Sequence, residues 1–443
     1  MDVDKCVELH NKILKHGWLH SGKTIEDLEQ NCQTWFNQHG DQAEAVSKLL
    51  SPNLIAFLKR AYGIHCDGAH SFFYYVGGLA GPVNIQEQME ILNLVCEEEG
   101  KTQCVLLYMM NCDFGSHPVG LIYDQEEDTA IMCVDLDDID TIQNGRTPWF
   151  PLKTVLEAWL DMIEQGKVVA IPEAPVMEKP WTLAPYSPKI LQDTVDLFNA
   201  LVREIESRLP EGSTGTGDDS SPFIEEATLD TSNPQRGFAY HFAQGAKRPQ
   251  FRYIAPGLEI AISSDDTAQR FASLRSDAGF EMSPLLLFRA VDNGAPCMAP
   301  ASGNECPFGY PFNGVDKYPA GLYLSCRSSS SNNSFEDASI LVLPFRIGAR
   351  GYARKSDGAR FGESTQDERV RSSDTFSDVY QPGYQPFTNG HNVRLFCVLE
   401  NWLGMVQRGD WKVDANGVMG GIDEWKKADT EESWEKYTIP PTW

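Results

Sequence analysis

The chain has 443 residues, of which 42% are hydrophobic and 11% aromatic, and its formal net charge is −26 at pH 7. This length allows two or three domains, each with a core of its own. The strong negative charge argues against general binding to duplex DNA or to anionic lipid, and no apolar run reaches the roughly 18 residues of a membrane-spanning helix.

The first ten residues are polar and acidic. They have neither the apolar core of a signal peptide nor the arginine-rich face of a transit peptide. The chain contains 11 cysteines, an odd number, and most of them lie within apolar runs. Reduced, buried cysteines have this distribution. We therefore expect a cytoplasmic protein with reduced cysteines.

The chain opens with a helical pattern. Apolar residues recur at helical spacing over residues 3–16, and Gly17 predicts the end of this first helix. Thr24 and Asp27 form a capping-box pattern. They predict the start of a second helix, which we expect to continue to about Gln38.

Three apolar runs then follow one another over residues 104–110, 117–123 and 130–135, separated by short polar connections. Runs of this length, bounded by Gly, Pro and Asp, predict consecutive strands of an antiparallel meander. Residues 152–164 carry apolar side chains at helical spacing and are followed by Gly166, which predicts an amphipathic helix covering one face of that sheet.

Two serine–proline pairs predict further helices, because Ser caps the helix and Pro occupies its first turn. One helix starts at Ser51 and the other, a long one, runs from Ser187 to about Leu209. Residues 211–236 are rich in Gly, Ser, Thr and acids and predict a linker. The predicted domains are therefore 1–210 and 237–443.

The second domain alternates short apolar runs with long connections and ends in a helical pattern over residues 393–407. This pattern predicts strands with long loops, followed by helix. The predicted fold class is α+β: a helical N-terminal part, an antiparallel meander covered by helices, and a second, mixed β/α domain with long loops.

Acidic residues concentrate between residues 84 and 140, where 14 acids face one base, Lys101. At the end of the third meander run, four carboxylates stand within six residues. They would bind a guanidinium or ammonium group, or act as a general base, unless they form a solvated strand end. The four are Asp135, Asp137, Asp138 and Asp140.

Basic residues concentrate between residues 346 and 371, where seven bases face four acids. Four of these bases and two glycines directly follow a predicted strand. Glycine lets the backbone approach a ligand, and spaced arginines suit phosphate, so this stretch is either an anion-binding loop or a scattered basic surface. The four bases are Arg346, Arg350, Arg354 and Lys355.

No sequence motif identifies a nucleophile or a metal site. Ser325 and Cys326 stand at a predicted strand end, where a buried cysteine is the alternative to a nucleophile. Gly17 and Trp18 interrupt the spacing of His16 and His20, which argues against a shared helical face. We expect neither a metal nor another cofactor. Three histidines are candidate general bases by residue type, and a core or surface position is the alternative for each: His117, His241 and His391.

The meander, the segments 134–138 and 152–161, and the late segment 344–352 together resemble fungal arginine-containing cyclodipeptide synthases. This resemblance, which is spread over the chain, implies an enzyme that takes arginine from arginyl-tRNA and joins it to a second amino acid as a diketopiperazine. In this reading the acid cluster supplies the catalytic candidates Asp137, Asp138 and Asp140.

Two functions are therefore open. In the first, Asp135 and its neighbouring acids hold arginine, while Arg346, Arg350, Arg354 and Lys355 meet the phosphates of an aminoacyl-tRNA. Aminolysis of an activated ester needs mainly positioning and a base. In the second, the protein is a non-catalytic interaction module with an acidic binding face.

Overall fold

A computed structural model describes most of the chain, and these residues form two compact units. Unit 1 comprises Met1–Ala184, Tyr384–Asn389 and Pro441–Trp443, and unit 2 comprises Pro185–Gly383 and Gly390–Pro440. Helices occur together with antiparallel and mixed sheets, which confirms the α+β class. The described residues are 1–64, 70–96, 103–111, 120–133, 149–174, 178–212, 223, 237–260, 284–300, 308, 317–324, 335–361, 376–388 and 391–443.

Unit 1 combines helices with short strands. Its helices are α1 (Val3–His20), α2 (Ile25–Asn31), α3 (Trp35–Val46), α4 (Pro52–Leu58), α5 (Pro82–Cys96) and α6 (Leu152–Glu164), with a 3-10 turn at Ser47–Leu49. Its strands are β1 (Cys32–Thr34), β2 (Tyr62–Ile64), β3 (Val76–Leu79), β4 (Cys104–Met110), β5 (Gly120–Asp124), β6 (Thr129–Cys133), β7 (Phe150–Pro151), β8 (Val168–Ala170) and β9 (Trp181–Leu183). None of the described helices of the chain has the length and apolar composition needed to cross a bilayer.

The first helix is longer than predicted. Helix α1 continues through Gly17 to His20, and the rings of His16 and His20 stack with centroids 3.9 Å apart. Two predictions were therefore wrong: that the helix ends at Gly17, and that these histidines do not share a face. Gly17 is buried, and a Cβ atom on it would lie 2.6 Å from Cζ2 of Trp181. Close packing by Trp181 thus accounts for this glycine inside the helix.

The predicted second helix is divided. The capping box at Thr24 and Asp27 is confirmed, but α2 ends at Asn31. Residues Cys32–Thr34 instead form β1, which pairs with the antiparallel strand β2. Tertiary pairing with a strand some 30 residues later therefore overrides the local helical pattern.

The meander prediction is confirmed for the described residues. Strands β3 to β7 lie in sequence order in one antiparallel sheet. Helix α5 packs against β4, and α6 contacts β6 and β7. The apolar residues of β4, β5 and β6 are largely buried, so this sheet forms the centre of the core of unit 1.

Two segments from far along the chain complete unit 1. The indole of Trp159 on α6 donates hydrogen bonds to the hydroxyl of Tyr75 (2.8 Å) and to the carbonyl of Phe387 (3.0 Å). The indole of Trp443 donates to Asp161 on the same helix, at 2.5 Å. Residues 384–389 and 441–443 are therefore part of this unit's structure.

Unit 2 is built on a large sheet. Its helices are α7 (Pro188–Ser207), α8 (Phe238–Gly245), α9 (Leu395–Gln407) and α10 (Trp434–Tyr437), with a 3-10 helix at Ile422–Asp429. Its strands are β10 (Tyr253–Ala255), β11 (Leu258–Ile260), β12 (Leu285–Asp292), β13 (Ala295–Pro296), β14 (Met298–Pro300), β15 (Lys317–Pro319), β16 (Gly321–Leu324), β17 (Ser339–Ile347), β18 (Phe376–Asp378), β19 (Val413–Asp414) and β20 (Gly417–Val418).

In the described part of unit 2, nine of these strands form one sheet, in the order β18-β17-β16-β12-β11-β10-β20-β19, with β13 paired to β12. Helices α7 and α9 pack against each other. The ring of Phe288 on β12 stacks on Phe198 of α7, and its centroid lies 5.8 Å from that of Trp402 on α9. These aromatic side chains form the centre of the core of unit 2.

The long helix α7 belongs to unit 2, although it precedes the predicted linker and therefore lies in the predicted domain 1–210. Its apolar side packs on α8 and α9, which no local pattern reveals. Most of the predicted linker at 211–236 lies outside the described residues, so the linker stays a prediction. Within it, Phe223 is buried against Phe198, Phe242 and Phe288.

Gly17 offers a test of this packing against a matched glycine, Gly404, inside α9. Alanine normally stabilises a helix by up to about 1 kcal/mol relative to glycine. At Gly17 the new methyl group meets the buried indole of Trp181, which is fixed by a 2.9 Å hydrogen bond to the carbonyl of Ser71. At Gly404 it meets only the end of the exposed, flexible side chain of Arg408, which is paired with Asp410 at the surface.

We therefore predict that Gly17→Ala lowers the free energy of unfolding by about 1–3 kcal/mol, whereas Gly404→Ala leaves it unchanged or raises it. Urea unfolding, followed by tryptophan fluorescence, measures both variants. Equal effects at the two positions would show that Trp181 does not restrict Gly17.

His10 on α1 is a buried, neutral histidine. Its Nε2–H donates to the carbonyl of Tyr62 (2.8 Å), because a carbonyl only accepts, and Nδ1 accepts from the hydroxyl of Tyr108 (2.7 Å). Its ring also stacks on Phe72 with centroids 4.5 Å apart. Burial lowers the pKa of His10 from 6.5 to about 4, since the charged ring would lose its water.

This lowered pKa predicts loss of stability in acid. Well above pH 6.5 His10 is neutral in both states. As the pH falls through 6.5 towards 4, the unfolded chain takes up a proton that the folded chain does not. We expect the free energy of unfolding to fall over this range by up to about 3 kcal/mol more in the wild type than in His10→Gln. Urea unfolding at several pH values gives the two slopes, and parallel slopes would contradict the prediction.

Candidate functional site

The predicted acidic site cannot be placed in the fold. Strand β6, which precedes it, ends at Cys133. Its four acids, and three of the other candidate residues, lie outside the described residues, so their roles stay predictions: Asp135, Asp137, Asp138, Asp140, His117, Ser325 and Cys326.

The predicted basic loop follows β17 and is folded around a carboxylate. Asp429, at the end of the 3-10 helix, is only 4% exposed. Its Oδ2 accepts hydrogen bonds from the backbone amides of Gly348 (2.9 Å) and Arg350 (2.8 Å). Its Oδ1 accepts from the amides of Tyr352 (2.9 Å) and Ala353 (3.0 Å). One side chain from some 80 residues later thus fixes the loop backbone.

The glycines of this loop serve that arrangement. Gly348 has a φ of +101° and Gly351 a φ of +78°, conformations that glycine adopts without strain. They let the backbone wrap around the Asp429 carboxylate, whereas the sequence predicted that it would wrap around a bound phosphate. The four amides that donate to Asp429 are therefore not available to an external anion, and anion binding here would rest on side chains.

The arginine and lysine side chains of the loop differ in availability. Nη1 of Arg354 donates to the carbonyls of Gly351 (2.9 Å) and Tyr352 (2.7 Å), and its guanidinium lies 4.8 Å from the ring centre of Trp434. Arg354 therefore contributes to the loop's own structure. Arg350 is exposed, whereas Arg346 and Lys355 are half-buried. The structure places Arg350, Arg354 and Lys355 on one loop and Arg346 at the end of the strand that precedes it, with Arg350 the most accessible of the four.

The two described candidate histidines have core-like surroundings. His391 is buried, stacks on Phe335 with centroids 3.9 Å apart, and its Nδ1–H donates to the carbonyl of Asn392 (2.8 Å). His241 is half-buried, with its ring 6.4 Å from that of Tyr186. These contacts favour structural roles for both histidines.

Two described cysteines are poor candidates for a nucleophile or a metal ligand. Burial raises the pKa of the Cys6 thiol to about 12 and that of Cys32 to about 11, and a protonated thiol is a poor nucleophile and ligand. Within the described ranges, no group of three or more His, Cys, Asp or Glu side chains is arranged to hold a metal ion.

Helix α5 presents a surface that sequence analysis did not single out. The carbonyl of Ala80, just before the helix, accepts from the indole of Trp35 (2.9 Å), and the amide of Ala80 donates to Leu107 on β4 (2.9 Å). Ile85 and Leu92 are buried on the inner side. This anchoring on β4 fixes which side of the helix faces outwards.

The outer side of α5 combines apolar and acidic side chains. Val83 is 51% exposed and Ile91 is 55% exposed, and Glu87 and Glu90 are exposed between them. Since residues three or four positions apart are neighbours on a helix, these four form one continuous stripe. We call Val83, Glu87, Glu90 and Ile91 the acidic face. Among the described residues, neither glutamate has a basic partner.

Hydrogen bonds of the backbone around the start of β4 connect it both to α5 and to a turn that carries two acids. Asn93 on α5 accepts from the amide of Cys104 (2.8 Å), and the carbonyl of the adjacent Gln103 accepts from the amide of Gln125 (3.1 Å). Gln125 opens the β5–β6 turn, in which Glu126 and Glu127 are exposed.

The sequence contained a signal for this surface. Pro82 stands at the first helical position, and Ile85, Met89 and Leu92 follow at the spacing of a helix with one buried side. Had this helix been predicted, Val83 and Ile91 would have stood out as large apolar residues on its polar side.

A search against protein-family models found no match to the chain, and searches of curated proteins and of solved structures found none either.

Asp429 and the basic loop allow a direct test. Asn has the shape of Asp but only one acceptor oxygen, and its amide group would face two of the four donors. We expect Asp429→Asn to lower the free energy of unfolding by roughly 2–4 kcal/mol and to speed hydrogen exchange at the amides of Gly348, Arg350, Tyr352 and Ala353.

The control is Glu431→Gln, which removes the same charge from an exposed neighbour whose carboxylate receives only the Tyr352 hydroxyl, at 3.4 Å. This variant should be close to wild type in both measurements. Unchanged exchange at the four amides in Asp429→Asn would show that the carboxylate does not hold the loop.

Proposed function

We propose that this protein is a binding module, and that the acidic face of unit 1 receives a cationic surface of a partner protein. The observation that carries the proposal is the outer side of α5, where two large apolar side chains are half in solvent beside two glutamates without basic partners in the described chain. Such a face offers a partner apolar contact and charge attraction together.

The charge of the face supports a cationic partner. Of its four residues, two are exposed glutamates and none is basic, so the face repels phosphates and anionic lipid and attracts lysine- or arginine-rich surfaces. The apolar residues distinguish a protein from a small cation, because Val83 and Ile91 gain only from contact with apolar groups. Rim charges set the association rate and its salt dependence, and burial of apolar groups adds affinity.

The prediction is a local loss of binding. With a fluorescent oligolysine peptide as the probe, Glu87→Gln/Glu90→Gln should raise the dissociation constant roughly threefold to tenfold, since each exposed ion pair contributes about 0.2–1 kcal/mol. The same variant should weaken the dependence of binding on salt. Fluorescence anisotropy at low and high salt measures both.

The matched control is Glu26→Gln/Glu29→Gln on α2, which removes two exposed acids of the same kind from another helix. It makes the same change in net charge and should have little effect. If both double variants weaken binding equally, the peptide responds to overall charge and the acidic face is not a binding site.

A second function is proposed on a different observation: Arg346 at the end of β17 and three bases of the loop that follows, Arg350, Arg354 and Lys355, lie on one short segment. In this alternative the protein is a cyclodipeptide synthase-like transferase. The loop side chains bind the phosphates of arginyl-tRNA, and Asp135, Asp137, Asp138 and Asp140 hold arginine and serve as base. Because Asp429 occupies four loop amides, recognition of the tRNA would rest on the exposed Arg350 and its neighbours.

This alternative predicts a product. Expression in a host with ordinary tRNA pools should release arginine diketopiperazines into the medium, detectable by mass spectrometry. Asp138→Asn should lower the amount of product at least a hundredfold, because it removes a desolvated ion pair to arginine, a change of about 3 kcal/mol. No product from the wild type, with the protein soluble and folded, would exclude the transferase.

A further inference from the structure

The acidic face has a spacing that selects among cationic partners. Val83 and Ile91 lie on the same helix, eight residues apart, which is about 12 Å along its axis. Glu87 and Glu90 lie between them on the same side. A partner that covers the whole stripe must therefore offer two apolar groups at this separation, with positive charge between or beside them.

The backbone chemistry of α5 decides the form of that partner. An extended peptide gains its affinity from hydrogen bonds to an unpaired sheet edge. The middle of a helix offers none, because its amides and carbonyls bond to one another. The backbone amides and carbonyls of an extended peptide on the acidic face would thus find hydrogen-bond partners only in water. A helix brings its backbone bonds with it and contacts α5 through side chains alone.

We propose, resting on the binding function above, that the partner is a basic amphipathic helix of another protein. It places two apolar side chains, seven or eight residues apart, against Val83 and Ile91, and its lysines or arginines against Glu87 and Glu90. Residues at that separation stand about 10–12 Å apart on one side of a helix, which matches the stripe.

The experiment uses the full chain and three synthetic peptides of identical composition. The first carries two leucines seven residues apart on one side of a lysine- and alanine-rich helix. The second places the leucines on opposite sides. The first two peptides each carry one proline at a terminus. The third has the leucine pattern of the first, but its proline stands in the centre, in exchange for an alanine, so that it cannot form a continuous helix. Fluorescence anisotropy gives the dissociation constants, and circular dichroism reports helix formation on binding.

We expect the first peptide to bind roughly tenfold tighter than the other two, because only it buries both leucines on the stripe. Val83→Ser/Ile91→Ser should remove this preference while leaving weak, salt-dependent binding. Leu19→Ser, a change at another exposed apolar residue, should keep the preference. Thermal unfolding confirms that each variant is folded.

Two results would overturn different parts of the account. If the three peptides bind equally and Glu87→Gln/Glu90→Gln still weakens them all, the partner is not an amphipathic helix and the general cation-binding function stands. If that double variant weakens none of them, the binding function and the helical partner both fail.

Discussion

The anchoring of helix α5 on strand β4 determines what unit 1 offers to solvent. A helix buries one side, and here Ile85 and Leu92 take that side. The opposite side is then fixed, and it carries Val83 and Ile91 beside two glutamates. Because the Ala80 backbone bonds to both Trp35 and Leu107 at the start of the helix, α5 has no freedom to turn these residues inwards. The proposed function depends on this single packing arrangement.

Charge in the sequence and charge available to a ligand are different quantities in this protein. The basic loop of unit 2 has the glycines and arginines of an anion site, but Asp429 holds four of its amides and Arg354 binds the loop's own carbonyls. Many of its hydrogen-bond donors are therefore already bonded to acceptors within the protein. The two glutamates of α5, in contrast, have no basic partner in the described chain. The geometry therefore favours the acidic face over the basic loop as the recognition surface.

Local signals predicted local structure. The capping box at Thr24 and the helix Leu152–Glu164 were predicted correctly, because the residues that form each of them lie next to one another in the sequence. Features that depend on distant residues were missed. Gly17 stays helical because Trp181 packs on it, and Cys32 leaves the helix to pair with Ile64. The carboxylate that organises the basic loop likewise stands some 80 residues away, and no pattern around the loop indicates it.

The most direct test of the central claim is carboxyl footprinting of the full chain with and without the patterned cationic helix. A carbodiimide and a small amine label exposed carboxylates, and mass spectrometry reads the labelling of each peptide. The account predicts that the bound helix suppresses labelling of Glu87 and Glu90 and leaves Glu26 and Glu29, which are exposed on α2, unchanged. Equal labelling of Glu87 and Glu90 in the free and bound protein, at a saturating concentration of the helix, would contradict it.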